Sequence, residues 1–134
     1  MSKRIDETLS QPGYDSLIIG NEPVADAFTV TIRKLGTAAT LKRGTVLALS
    51  TGTAGDGKMV VLGNTATTDE TLTANCVLCD DVDVGTAADV SALAYRTGKF
   101  NTSKLIVKTS YTMTATDKEA LRSAGILLDT AINA

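Results

Sequence analysis

Three stretches of this chain place reactive residue types at spacings that suggest chemistry. Gly52-Thr-Ala-Gly55-Asp-Gly57-Lys58 follows a phosphate-binding loop as far as its lysine. Such a loop then needs Ser or Thr to hold magnesium and must lead from a strand into a helix. Here Met59 follows instead, and Lys58-Met-Val-Val-Leu62 reads as a strand. The glycines are therefore expected at the tip of a hairpin. Cys76-Val-Leu-Cys79 has the spacing of a redox or zinc pair, but residues three apart on a strand point to opposite faces. No histidine and no second cysteine pair exist to complete a zinc site, so two buried free thiols are expected. Asp80, Asp81, Asp83 and Asp89 invite comparison with a calcium loop. An EF-hand pattern starting at Asp81 requires a carboxylate or Asn at 85, Gly at 86 and Glu at 92, where the chain has Gly85, Thr86 and Ala92. A solvated acidic strand edge is the expectation, with no metal and no cofactor.

Catalysis finds no better footing. Without histidine there is no Ser-His or Cys-His nucleophile, and no acid pair lies in an apolar run that would raise its pKa. The chain does not read as an enzyme. Net charge is −2 and the basic residues are scattered, so a counterion-displacing nucleic-acid surface is not expected. No apolar run approaches a membrane span, and the N-terminus lacks the apolar core of a signal peptide. Folding in a reducing cytosol is expected.

The elements left to organise these residues are mostly strands. Hydrophobic residues make up 43% of the 134 positions but aromatics only 4%, so the core must be aliphatic. Phe28-Thr-Val-Thr-Ile32 alternates strictly and predicts a half-buried strand with Phe28, Val30 and Ile32 inward. Further strands are expected at 44–49, 58–62 and 75–79, the last running into an acidic strand at 80–84 where Val82 and Val84 alternate with Asp81 and Asp83, with loops at 36–40 and 64–75. The stretch from Val90 to Lys108 is the most ordered. It holds a strand with small Ala92 and Ala94 on one face and Leu93 and Tyr95 on the other, a bend at Gly98, and Phe100 as a core anchor. Thr116 followed by Glu119 predicts a capping box opening a two-turn helix that ends at Gly125, after which Ile126-Leu-Leu128 returns as a strand. Gly44, Tyr95, Gly98, Phe100, Thr116, Glu119 and Gly125 are thus the expected scaffold residues. Residues 1–16 have neither helical nor strand periodicity and carry three apolar beads, Ile5, Leu9 and Tyr14.

In order along the chain, Ser16-Leu-Ile-Ile-Gly20, Arg43-Gly-Thr-Val-Leu-Ala48, Cys76-Val-Leu-Cys-Asp80, Ala94-Tyr-Arg-Thr-Gly-Lys-Phe-Asn101 and Leu121-Arg-Ser-Ala-Gly-Ile126 resemble the lambda-type head decoration proteins of tailed phages. The cysteines are a local variation, since the family often has an apolar residue and Gly or Ala there. The resemblance spans residues 16 to 130 and implies a mainly β fold, β-clip-like or a small pseudo-barrel, with one short C-terminal α-helix. It further implies a homotrimer at threefold sites on the outer face of the expanded head, bound to the major capsid protein and stabilising the shell. Residues 1–16 take the place of a flexible capsid-contacting arm, and 17–134 that of one decoration domain. Two other classes stay open: a trimeric nucleotide hydrolase on a related β fold, for which no nucleotide motif is present, and a virion-surface carbohydrate-binding adhesion module. Sugar stacking favours aromatics, and the chain has three Tyr, two Phe and no Trp.

Overall fold

A computed structural model describes residues 17–19 and 25–129. Eight strands and one helix follow in chain order: β1 (Asp26–Ile32), β2 (Ala39–Leu41), β3 (Val46–Thr51), β4 (Met59–Val61), β5 (Thr71–Leu78), β6 (Val82–Val84), β7 (Val90–Asn101), a 3-10 turn (Thr102–Lys104), α1 (Ala115–Ala124) and β8 (Ile126–Asp129). Strands pair in the order β1-β4-β3-β5-β7, and β7 pairs back onto β1, closing a small five-stranded barrel. β8 adds to β7 in parallel, and β2 and β6 form a separate antiparallel ribbon.

Closure explains the alternation seen in sequence. Val30 and Ile32 of β1, Leu47 of β3, Met59 of β4, Cys76 and Leu78 of β5 and Ala94 of β7 meet in one buried cluster inside the barrel. The small faces of β7 are inside, and Leu93 stands outside at 49% exposure. A narrow barrel has room for alanines where further large residues would overfill it. β3 is buried on both faces, because Val46 and Ala48 point the other way. There they pack with Val60, Leu62, Ala74 and Val77 beneath Leu17, Phe100, Leu121 and Ile126. That second core is what α1 and β8 cover.

Three expectations need correction. Thr71-Leu-Thr73 is not loop; it extends β5 and pairs with Leu49–Thr51 of β3. Threonine is a strong strand former, and the exposed-intermediate-exposed run around Leu72 is half-buried strand patterning within a polar sequence. Ala39 and Thr40 lie in a predicted loop but form β2 with Leu41, opposite β6; three residues are too few to carry a period. The helix is capped two residues earlier than the spacing suggests. Thr114 is extended (φ −87°, ψ 168°), its hydroxyl accepts the Asp117 amide at 3.1 Å, and the Asp117 carboxylate accepts the Thr114 amide at 3.0 Å. Tyr111 donates its hydroxyl to the same carboxylate, which fixes Asp117 as the partner. Glu119 instead binds Arg122 at 2.6 Å on the exposed face. Thr114→Ala should therefore cost about 1 kcal/mol, and Thr116→Ala should stay within about 0.5 kcal/mol of wild type, as urea midpoints would read.

At the other end of α1, Gly125 has φ +113° and its amide donates to the Arg122 carbonyl. Its own carbonyl accepts the Gly98 amide at 3.2 Å, so the helix terminus is stitched to β7. Only Leu121 of α1 is fully buried. One such leucine contributes about 1.5–3 kcal/mol, so the helix is held by this contact, its caps and β8 rather than by its own length.

Candidate functional site

The segment that enters the described fold first is anchored on the last third of β7. The Asn101 amide donates to the Leu17 carbonyl at 2.7 Å, the Ile19 amide donates to the Lys99 carbonyl at 3.0 Å, and Ile18 bridges Phe100 in antiparallel register. β8 pairs with the same residues, Gly98–Asn101, in parallel register. Leu17 is buried at 1% exposure, in the second core with Phe100. A methyl group on Gly44 would sit 3.6 Å from Leu17 and 3.0 Å from the Lys104 carbonyl. Gly44 has φ +96°, and its amide and carbonyl join Leu78 and Ile106. Phe100 is fully buried and lies 5.3 Å from the Tyr95 ring, tilted by 54°. Arg43 donates to the Tyr95 hydroxyl at 2.6 Å and to the Cys79 carbonyl at 2.9 Å. Asn101 is buried, and its side-chain oxygen accepts the Ser103 amide, turning the chain into the 3-10 turn. Whatever precedes Leu17 thus leaves from a rigid, multiply bonded point.

The structure brings Gly44, Tyr95, Gly98 and Phe100 together around this root, with Gly125 bonded to Gly98. Thr116 and Glu119 lie elsewhere, on the exposed side of α1. Ile5, Leu9 and Tyr14 lie outside the described residues.

The stretches that suggested chemistry all have structural roles here. Gly52–Lys58 is the turn between antiparallel β3 and β4. Cys76 and Cys79 are free and buried; Cys76 faces the Met59 sulfur at 4.0 Å. Burial pushes the Cys76 thiol up to about 12 and Cys79 up to about 11, so neither is a thiolate at neutral pH. Asp81 accepts the Arg43 amide, Asp83 the Thr40 hydroxyl, and Asp89 pairs with Lys58 at 2.5 Å. Among the described residues no group of three or more acidic or cysteine side chains is placed to hold a metal.

One polar cluster escaped sequence reading. Arg33, just after β1, donates to Asp56 of the β3–β4 turn at 2.9 Å, to Glu70 before β5 at 2.6 Å and to the Ser50 hydroxyl at 3.0 Å. Ser50 also donates to Glu70, whose second oxygen accepts the Thr67 amide. The Glu70 side chain is only 2% exposed. The Ser50 hydroxyl and the Arg33 guanidinium hold its carboxyl down to about 2, and Arg33 does the same to Asp56. Both are fixed anions at neutral pH with their hydrogen bonds made, which suits a clasp across loops and not proton transfer. Since both values are depressed from 4.5 and 3.8, this stability is complete above pH 4.5 and is lost as pH falls toward 2. In Arg33→Met the buried Glu70 lacks its cation. The stability gap between variant and wild type should be widest near pH 7 and narrow on acidification, as denaturant midpoints across pH would show.

With the site assembled from backbone pairing and packing, comparison with known families is decisive. The family model of bacteriophage lambda head decoration protein D matches residues 14–127. The chain belongs to that family. No curated protein matches it. Head decoration protein D is a structural component of the phage capsid and not an enzyme, so this chain binds a phage capsid and resides on the virion. The match takes in the anchored root, Tyr14 and every strand up to the first two residues of β8, and begins after Ile5 and Leu9.

Proposed function

We propose that this protein decorates the outer surface of an expanded phage head as a homotrimer at threefold sites, binding the major capsid protein and stabilising the shell. The family match over residues 14–127 carries this reading. A protein that binds the expanded shell and no other state stabilises it by mass action, and three linked copies multiply weak contacts through effective concentration. Assembly would take place in the host cytoplasm.

We assign residues 1–16 as the capsid-contacting arm of a decoration domain spanning 17–134, with Ile5, Leu9 and Tyr14 as its apolar anchors. Strand addition suits such an arm, because backbone pairing asks little of its sequence. A rigid root at Leu17–Ile19 supports the assignment: an arm leaving a fixed point loses less orientational freedom on docking than one leaving a mobile loop.

Co-sedimentation with expanded heads of the cognate phage tests both statements. Full-length protein should bind saturably, and a chain lacking residues 1–16 should bind more weakly while keeping the same unfolding midpoint. Equal binding by both forms would remove the arm from the mechanism. Binding by neither would overturn the decoration reading.

A further inference from the structure

Asp56-Gly57 is the only place in the chain where an Asp or Asn precedes Gly. A dipeptide of this kind is open to a spontaneous rearrangement, because glycine has no side chain to shield its own amide nitrogen. The Gly57 nitrogen attacks the Asp56 side-chain carbon, a C–N bond forms, and the carboxyl hydroxyl leaves with the amide proton as water. Water then reopens the resulting succinimide. Breaking the new bond restores Asp56, whereas breaking the original peptide bond leaves the chain running through the side chain as isoaspartate. One water leaves and one enters, so no other reactant is needed.

The fold opposes both halves of the ring closure. The carboxyl must be neutral for its hydroxyl to leave, but Arg33 grips its two oxygens as a fork, Nη2 on Oδ1 at 2.9 Å and Nε on Oδ2 at 3.0 Å. The Lys58 amide adds a bond to Oδ1 at 3.0 Å. Arg33 above all, and Lys58 after it, lower this carboxyl from 3.8 to about 2, which thins its protonated fraction at neutral pH by about tenfold or more. The nucleophile is tied as well. The Gly57 amide must give up its proton to attack, and it donates that proton to the Ser50 carbonyl at 3.0 Å. Arg33 is itself steadied by Glu70 and the Ser50 hydroxyl. Packing gives the bond no such cover: the Asp56 side chain is 35% exposed, and a Cβ added at Gly57 would meet nothing within 4 Å.

We propose that Asp56-Gly57 is an isoaspartate-forming modification site that the Arg33 fork keeps closed in the folded protein. Isoaspartate lengthens the main chain of the β3–β4 turn by one carbon and shortens the branch that carries the carboxylate. The fork cannot be remade on that branch, so an opening of the clasp that lasts long enough becomes permanent. The inference is independent of shell binding.

The test incubates full-length protein in heavy-oxygen water at mildly acidic pH, where the clasp is formed, and then digests it with trypsin in ordinary water. Residues 44–58 come off as one peptide with Asp56 as its sole Asp and no Asn. A second chromatographic form of that peptide carrying a heavy oxygen therefore reports rearrangement at this bond. Folded wild type should form it about tenfold or more slowly than the urea-unfolded chain. Arg33→Lys leaves a cation for Glu70 but cannot fork both Asp56 oxygens, and should close most of that gap while folded. Glu70→Gln, which loosens the clasp and leaves Arg33 on Asp56, should stay slow. Equal rates in folded and unfolded wild type would overturn the proposal. So would an Arg33→Lys rate as slow as wild type, or a Glu70→Gln rate as fast as Arg33→Lys, since loop loosening and not the guanidinium would then set the rate.

Discussion

Phe100→Ala is expected to cost about 3–5 kcal/mol of folding stability, a large share of the roughly 5–15 kcal/mol that holds a domain together. Phe100 is fully buried where three structures converge. Its ring packs on Tyr95, its residue bridges Ile18, and its strand pairs with Leu128 of β8. Leu17, Leu121 and Ile126 share its cluster. The chain has no tryptophan, and Tyr95, the aromatic that touches Phe100, is held in place by the Arg43 hydrogen bond to its hydroxyl and so is not free to refill the space. The cavity should therefore persist, and with it the cost of lost dispersion contacts. The loss should appear as a lower urea midpoint with little change in slope. Phe100→Leu should recover much of it. A loss below about 1 kcal/mol in the alanine variant would mean that the helix, β8 and the Leu17 segment collapse onto the site, contrary to the close packing described here.

The contrast between that residue and the Arg33 clasp shows where sequence reading succeeds. Phe28–Ile32, Val46–Thr51 and Met59–Val61 were legible because alternating or continuous apolar runs report burial locally. Phe100 stood out through scarcity, and Gly125 through its place at the end of a helical run. The clasp joins residues 17, 23 and 37 positions apart, and each of Arg33, Ser50, Asp56 and Glu70 taken alone resembles an ordinary surface residue. Only barrel closure brings them together. The helix cap failed for a different reason. Thr114/Asp117 and Thr116/Glu119 are both plausible boxes, and Tyr111, in the preceding loop, favours the former. The family was legible through the order of short motifs, none of them reactive, whereas the anchored root was not, because Leu17–Ile19 pairs with Lys99–Asn101, far away in sequence.

Gly98→Val should be as damaging as the loss of Phe100, and for a coupled reason. At φ +144° this residue occupies backbone space that L side chains rarely enter, a strain of about 1–3 kcal/mol. A Cβ there would lie 2.7 Å from the Phe100 ring and 3.4 Å from the Ala25 backbone, adding an overpacking cost of about 1–3 kcal/mol. The position matters because β7 changes partners at this point: Asp26–Ile32 pairs with its first two thirds and Ile126–Asp129 with its last. Displacing Gly98 breaks its hydrogen bond to Gly125 and tilts Lys99–Asn101, the segment that holds Leu17 and Ile19. Stability and presentation of the proposed arm should therefore fall together, so head co-sedimentation should weaken even at temperatures where the variant is folded. A double-mutant cycle separates the two causes. If the ring clash dominates, Gly98→Ala combined with Phe100→Leu should cost less than the sum of the single changes. If backbone strain dominates, the two costs should add, because removing the ring does nothing for a β-carbon forced to a positive φ.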